Sequence, residues 1–392
     1  MPSANKIHMQ LYIQSIHSPS EGDFSSQLNA CIGQIRLSSC RLKISRRIVK
    51  ITVFTSCSDN HDYVLKMNLL DDVFTKYDWC QAPVSLVSQP PLDGGTMMEV
   101  WMLDYSGTKH SFAFSRDEQA SVLFIDCPDF SCLFTSQFSA EHKIFRENAC
   151  EAFNLLDSAL REVGFDFSHI VRQWNYIEGI TLSDTVNDRP LQNYQEFNDL
   201  RSLYYEKSNF INGYPSATGI GTANGGCMIE VIALKEKKTM NVKPVNNSLQ
   251  VDAHSYSSNV LAGAEGMKEF STPKFERGKY MQIGDDCFLF ISGTASILGE
   301  QTVFPEDAVS QTITTLKIID SLISFNNLNN NKICLNSQPT PVNYRVYLKN
   351  EADYTAVKSL CDAYFGMKNS IFVKADICRS KLLVEIEANY RV

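Results

Sequence analysis

The stretch HIVRQWNY, residues His169–Tyr176, has the β-branched and aromatic content of a strand, with partial alternation of polar and apolar residues. Two other stretches have the same character, RIVKITVF at Arg47–Phe54 and VNYRVYL at Val342–Leu348. Self-similarity of this kind indicates repeated structural units. The sequence therefore predicts three copies of one supersecondary unit, each built around one of these strands.

Each of the three strands is preceded by apolar residues at helical spacing. In the second copy these residues are Phe145, Ala149, Phe153, Leu156 and Leu160. A second helical stretch and a final strand follow in each copy. We therefore expect the order β–α–β–α–β, with helices covering one face of a mixed sheet.

The final strand of each copy carries a glutamate between apolar residues, namely Glu99, Glu230 and Glu385. For one copy alone, a partly exposed strand residue is an equally good interpretation. The recurrence in three copies favours a common role.

The predicted fold class is α/β (α+β), with units at residues 1–104, 105–248 and 249–392. The asparagine-rich stretch Asn326–Lys332 is predicted to be a surface loop.

The composition excludes several functional classes. The chain has 392 residues and a formal net charge of -8, which disfavours nucleic-acid binding. Met1–Gln10 is polar, and no apolar run is long enough to cross a membrane, so neither a signal peptide nor a membrane span is expected. The 12 cysteines form no CxxC pair, which predicts reduced thiols and a cytoplasmic location. No metal or other cofactor is implied.

Several elements of the third copy resemble the Rid/YjgF family, namely Phe290–Gly293, Asp307–Gln311, Asp353–Val357 and Leu383–Ala388. Members of that family usually form homotrimers with ligand clefts between subunits. The resemblance therefore implies three tandem Rid/YjgF-like (chorismate-mutase-like) units that form an intramolecular pseudo-trimer, and hence a monomeric protein. The deaminases of the family hold the substrate carboxylate with an arginine. Ser85, Ala217 and Ala375 stand at the matching positions, so imine deamination is not expected.

The second and third copies together resemble chorismatases more closely. The similar elements are Trp174–Tyr176, Tyr194–Arg201, Tyr214–Gly221, Ala253–Tyr256, Pro273–Arg277, Ser292–Gly299 and Asp376–Arg379. The resemblance implies cleavage of the enol ether of chorismate, a small dianion, and Glu385 as the general acid. A carboxylic acid suits this role if burial raises its pKa towards neutrality. Glu387 falls on the same strand face and is either the active acid itself or a neighbour that keeps Glu385 protonated.

The resemblance also implies a set of substrate contacts. Arg201 is suited to a bidentate contact with a carboxylate, and Tyr256 to a hydroxyl contact with the ring substituents. The full predicted substrate-binding set is Tyr194, Arg201, Thr218, Gly219, Tyr256, Gly293 and Tyr347. Chorismatases that release an aromatic hydroxybenzoate tend to have the glycine and cysteine found here at Gly293 and Cys378. We therefore expect 3-hydroxybenzoate and pyruvate as products, with Cys378 as a proton shuttle unless it is a buried, inert thiol.

Four residues depart from the chorismatase pattern, namely Gln195, Glu300, Phe304 and Ser359, which stand where basic residues or histidines are common. Two alternatives therefore stay open. One is a divergent Rid-fold enzyme that acts on another carboxylated biosynthetic intermediate. The other is a non-catalytic protein that binds a ligand, because a fold does not determine a function.

Overall fold

The computed structural model describes residues 8–40, 46–76, 80–106, 110–117, 119–140, 144–186, 189–237, 241–257, 271–283, 286–335, 337–366 and 369–392. Residues 1–7, part of the polar stretch at the amino terminus, lie outside this description. The described ranges form three large sheets with helices, which confirms the predicted α/β class. None of the helices within them is long and apolar enough to span a membrane.

The first sheet has the strand order β1-β4-β2-β3, in which β2 and β3 are parallel. Its elements are β1 (His8–His17), α1 (Phe24–Cys40), β2 (Arg46–Thr55), α2 (Asn60–Thr75), β3 (Val84–Ser88) and β4 (Met97–Ser106). The predicted order of elements omitted β3. This five-residue strand is buried along its whole length, and such strands show no period-two pattern.

The second sheet repeats this arrangement and extends it with two strands, in the order β11-β8-β12-β7-β6-β5. Its elements are β5 (Ser111–Arg116), β6 (Ser121–Asp126), β7 (Phe130–Thr135), α3 (Phe145–Glu162), β8 (Ile170–Glu178), β9 (Ser183–Val186), β10 (Arg189–Gln192), α4 (Asn193–Tyr205), β11 (Ser216–Thr222) and β12 (Cys227–Glu236). Strands β9 and β10 form a separate hairpin that leads into α4.

The third sheet has the order β13-β14-β15-β20-β18-β19. Its unit comprises β13 (Lys243–Val245), β14 (Gly278–Ile283), β15 (Asp286–Ala295), β16 (Ile297–Leu298), β17 (Gln301–Thr302), α5 (Ala308–Ile323), α6 (Phe325–Asn330), β18 (Thr340–Leu348), α7 (Tyr354–Phe365), β19 (Asn369–Lys374) and β20 (Val384–Arg391). Strand β13 joins this sheet although it precedes the predicted boundary at residue 248.

The asparagine-rich stretch is not a plain loop, so that prediction was wrong. It forms most of α6, where the Ser324 side chain accepts a hydrogen bond from the backbone N–H of Asn327. This cap satisfies a backbone donor of the first turn, and Leu328 is buried beneath the helix.

The two faces of each large sheet have different partners, as strand alternation requires. In β15, Leu289 and Ile291 pack with the helices of the third unit. Phe288 and Phe290 point the other way and join a core shared with the first and second sheets. The helices therefore cover the outer faces, and the inner faces of the three sheets pack against one another.

Three buried ion pairs join these inner faces in a cycle. They are Lys50 with Glu230 at 2.7 Å, Arg172 with Glu387 at 2.7 Å, and Arg345 with Glu99 at 2.6 Å. In each pair the cation lies on the central strand of one sheet and the carboxylate on the final strand of the next. Charges buried this deeply are tolerated when they are paired and hydrogen-bonded. An intramolecular pseudo-trimer predicts this cyclic order.

Candidate active site

A cavity of about 240 Å³ opens where the second unit meets the third. The second unit contributes residues of α4 and β11, and the third contributes β15, β20 and the segment 378–380. Its size lies near the lower end of the range for small-molecule sites, roughly 300–1,000 Å³. A small ligand is therefore the appropriate occupant.

Among the described side chains that line this cavity, Glu385 is the one carboxylic acid. It lies on β20 between Ala295 of β15 and Tyr347 of β18, and it is only 4% exposed. Burial raises its pKa to about 8, and repulsion by Glu387 acts in the same direction. No side chain of the described ranges donates a hydrogen bond to its carboxyl group. Glu385 therefore carries a proton at neutral pH.

Glu387 has the opposite environment, although it lies two residues further along the same strand face. Its carboxylate accepts hydrogen bonds from the side chains of Arg172, Trp174, Thr218 and Tyr347. Burial opposes its ionisation, but the nearby guanidinium groups lower its pKa overall. Glu387 is thus a paired carboxylate, and of the two alternatives above the geometry supports the one in which it keeps Glu385 protonated.

Gly293 makes room for the acid. A Cβ atom at this position would lie 2.1 Å from Oε1 of Glu385 and 3.0 Å from Cγ2 of Thr218. Any side chain would therefore displace the carboxyl group or the strand. The backbone N–H of Gly293 also donates to Oγ1 of Thr218 at 3.1 Å, which ties β15 to the second unit.

Two buried arginines in the cavity wall have no carboxylate partner within the described ranges. Arg201 donates to Oδ1 of Asn198 at 2.6 Å, and Arg277 donates to the backbone oxygen of Val251 at 2.7 Å. The Nε groups of both arginines are buried without a hydrogen-bond acceptor. Burial lowers the pKa of Arg201, but an arginine still stays charged at neutral pH. Buried cations of this kind suit an anionic ligand.

Tyr256 lies between two cavity arginines. Its hydroxyl group accepts a hydrogen bond from Nη2 of Arg277 at 2.6 Å. The guanidinium carbons of Arg277 and Arg379 lie 5.4 and 5.6 Å from its ring centroid. This distance is within the range of cation–π attraction. Tyr256 therefore contacts the guanidinium groups of both Arg277 and Arg379 in the cavity wall.

Cys378 and Tyr194 complete the wall around the acid. Burial raises the pKa of the Cys378 thiol to about 12, and the carboxyl group of Glu385 adds to this effect. The thiol is therefore neutral at physiological pH, so it can relay a proton but does not act as a thiolate. Tyr194 packs against β11, and a Cβ on Gly219 would lie 2.8 Å from its ring.

Most of the predicted site residues meet at this cavity. Those that line it are Tyr194, Arg201, Gly219, Tyr256, Gly293, Cys378 and Glu385. Thr218 and Tyr347 do not line it. They lie behind the wall and donate hydrogen bonds to Glu387, so their predicted substrate contacts are replaced by contacts with that carboxylate.

Two cavity arginines, Arg277 and Arg379, were missed as site residues. Both belong to stretches that resemble chorismatases, so their position in those stretches was the available signal. Gln195, one of the departures, also lines the cavity and donates to Oδ1 of Asp199 and to the backbone oxygen of Ser271.

Comparisons with known proteins agree with this geometry. Residues 99–233 match the sequence model of a family described as chorismatase FkbO/Hyg5-like, N-terminal. A protein named 3-hydroxybenzoate synthase from Streptomyces hygroscopicus is 30% identical over 230 residues, which cover 57% of this chain and 64% of that protein. The chain thus spans less than two thirds of the length of that relative.

Two further comparisons extend over more of the chain. A protein named chorismatase, also from Streptomyces hygroscopicus, is 25% identical over 312 residues, which cover 78% of this chain and 83% of that protein. A solved crystal structure of a chorismatase superposes with a TM-score of 0.71 at 19% identity, covering 97% of this chain and 98% of that one. Residues 99–233 are therefore similar to the N-terminal part of FkbO/Hyg5-like chorismatases, and the chain shares the fold of a chorismatase along nearly its whole length.

Proposed function

We propose that this protein is an enzyme that converts chorismate into pyruvate and 3-hydroxybenzoate. The observation that carries the proposal is that Glu385 is buried in the cavity wall without an ion pair, beside arginines that lack carboxylate partners, all within the described residues. An acid of this kind is suited to protonating a carbon atom, and the arginines are suited to a dicarboxylate. The names of the relatives from Streptomyces hygroscopicus support the choice of substrate.

In the proposed reaction, Glu385 transfers its proton to the methylene carbon of the enol ether. Water adds to the resulting cation and gives up a proton, which restores Glu385. The hemiketal so formed breaks at the bond between its central carbon and the ether oxygen, so pyruvate leaves and that oxygen stays on the ring as a hydroxyl group. The ring then becomes aromatic by losing its other hydroxyl group together with one ring proton as water, which returns the water consumed, and the neutral Cys378 thiol relays that proton. Arg201 holds one carboxylate, and Arg277 with Arg379 holds the other, while the proton is transferred.

The test is to incubate the purified protein with chorismate and to quantify pyruvate and aromatic products by liquid chromatography. Equal amounts of pyruvate and 3-hydroxybenzoate are expected, because the two products together account for all atoms of the substrate. A dihydroxylated cyclohexadiene in place of the aromatic product would contradict the roles of Gly293 and Cys378 in product choice. Absence of turnover by the folded protein would refute the proposal and favour another carboxylated substrate.

We also propose that the protein acts in the cytoplasm as a monomer. The 11 described cysteine thiols support a reducing compartment, and within the described residues the ion pairs between the three sheets close a cycle inside one chain. Light scattering coupled to size-exclusion chromatography tests the second point, because a mass near twice 44.2 kDa would contradict it.

A further inference from the structure

Glu300 lies at the turn between β16 and β17, beside the cavity. It departs from the chorismatase pattern, in which histidine is common at this position, so it suggests a lost substrate contact. The structure gives it a different set of contacts. Its backbone oxygen accepts a hydrogen bond from Nη1 of Arg379 at 2.8 Å, and its side chain is not among those that line the cavity.

The carboxylate of Glu300 binds one residue twice. It accepts a hydrogen bond from the backbone N–H of Ser257 at 2.9 Å and another from the Ser257 hydroxyl group at 2.5 Å. These two bonds, together with the charge of Arg379, lower the pKa of Glu300. The carboxylate is therefore ionised and fixes Ser257 at two points, as charge-assisted hydrogen bonds do.

Ser257 directly follows Tyr256, the tyrosine between the two cavity arginines. The hydroxyl group of Tyr256 holds Arg277, and its ring lies against Arg379. The backbone oxygen of Glu300 holds Arg379 from the other side. Glu300 thus holds Ser257 through its carboxylate and Arg379 through its backbone oxygen.

We propose that Glu300 is a positioning residue that, through Ser257 and Tyr256, sets where Arg277 and Arg379 present their N–H groups to a dicarboxylate substrate. This inference rests on the proposed function of the cavity. Glu300 would then contribute to substrate specificity at a position where chorismatases commonly have a histidine.

The proposal can be distinguished from a purely electrostatic role by the sign of its effect. A carboxylate near an anion site repels the substrate, so on charge alone its removal lowers KM. A positioning role predicts the reverse, because loss of the anchor lets Tyr256 and both arginines move out of register. The acid Glu385 is untouched in either case, so kcat is expected to stay the same.

The experiment compares the Glu300→Ala variant with wild type, with Glu351→Ala as a control at an exposed glutamate. For Glu300→Ala, KM for chorismate is expected to rise about five- to tenfold, with kcat within about twofold of wild type. Ser257→Ala is expected to raise KM in part, and the double variant to equal Glu300→Ala because both changes remove the same contact. An unchanged or lower KM overturns the proposal.

A second measurement does not require turnover. Hydrogen exchange at the Ser257 amide is expected to be at least about tenfold faster in Glu300→Ala than in wild type, because its acceptor is lost. Unchanged exchange overturns the anchoring role even if wild type fails to convert chorismate. Faster exchange without any turnover would refute the proposed function while the anchor itself stands.

Discussion

Glu385 and Glu387 project from the same face of one strand, yet only Glu387 has a cation partner. Arg172 lies 2.7 Å from Glu387 and forms no ion pair with Glu385 within the described ranges. The two carboxyl groups consequently have pKa values shifted in opposite directions. Environments that separate the pKa values of neighbouring acids are typical of catalytic sites.

The pH dependence of turnover is the first prediction. Since the proposed reaction requires the protonated form of Glu385, kcat/KM should be high below its pKa of about 8 and fall about tenfold per pH unit above it. Initial rates between pH 6 and 10 measure this. Glu385→Gln should lose turnover at every pH. A rate that rises with pH would mean that the carboxylate acts as a base.

Glu385 should make the free energy of unfolding decrease as pH rises from about 4.5 to about 8. The folded-state pKa of Glu385 is raised from the usual 4.5 to about 8, so the folded state loses stability relative to the unfolded state as pH rises across this interval. Glu385→Gln should therefore have a higher Tm than wild type at pH 8 and the same Tm at pH 4. Differential scanning fluorimetry at the two pH values tests this, and equal differences would contradict it.

Glu387→Gln should lower the pKa of Glu385 although Glu385 itself is not substituted. Loss of the neighbouring negative charge, together with release of Arg172, lowers the pKa of Glu385. The alkaline limb of the rate profile is then expected to move to lower pH. Stability should fall by about 3–5 kcal/mol, because a buried arginine loses its partner. An unmoved limb in a folded variant would show that Glu387 does not tune Glu385.

Gly293→Ala should lower the rate of 3-hydroxybenzoate formation about a hundredfold while leaving the protein folded. The added Cβ would lie 2.1 Å from Oε1 of Glu385, so the carboxyl group must leave its place. Misplacement of a reacting group by about 1 Å can cost about a hundredfold in rate. Gly33→Ala is the matched control, since a Cβ there meets nothing within 4 Å. Wild-type rates in Gly293→Ala would contradict the proposed position of the acid.

Loss of one partner of the ion pair between Lys50 and Glu230 should cost more stability than replacement of both partners. Glu230→Gln leaves Lys50 buried without its carboxylate and should cost about 3–5 kcal/mol of unfolding free energy. The double variant Lys50→Met/Glu230→Gln should recover much of that loss. The half-exposed pair of Lys66 with Asp62 is the control and should contribute less than about 1 kcal/mol. Urea denaturation of wild type, of the two variants and of a Lys66→Met control measures these differences.

The repeat was predictable because its evidence is local. The strands that carry Arg172 and Arg345 show their β-branched and aromatic content directly, and the glutamates that follow them recur at one place in each copy. The three short strands β3, β11 and β19 escaped the predicted order, since periodicity alone does not distinguish short strands without alternation from other apolar segments. Local pattern therefore located the units but not every strand within them.

The site was only partly predictable, because side-chain direction depends on packing between units. Thr218 and Tyr347 were assigned to the substrate, yet both turn towards Glu387, which the sequence places on another strand. Arg277 enters the cavity because Tyr256 and the backbone oxygen of Val251 hold it there. Contacts between residues distant in sequence decide such cases.

The cyclic set of ion pairs has a consequence for divergence. Three identical subunits must carry any new residue at all three interfaces, whereas tandem copies in one polypeptide change independently. In each sheet the cation of the central strand lies opposite one residue of the final strand: Lys50 opposite Trp101, Arg172 opposite Ile232, and Arg345 opposite Glu387. Only the third copy has a second carboxylate on its final strand at this place. Glu387 forms the ion pair with Arg172 of the second sheet, and Glu385 takes no part in that contact. Loss of symmetry thus lets one junction hold the proposed site while the other two keep the three units together.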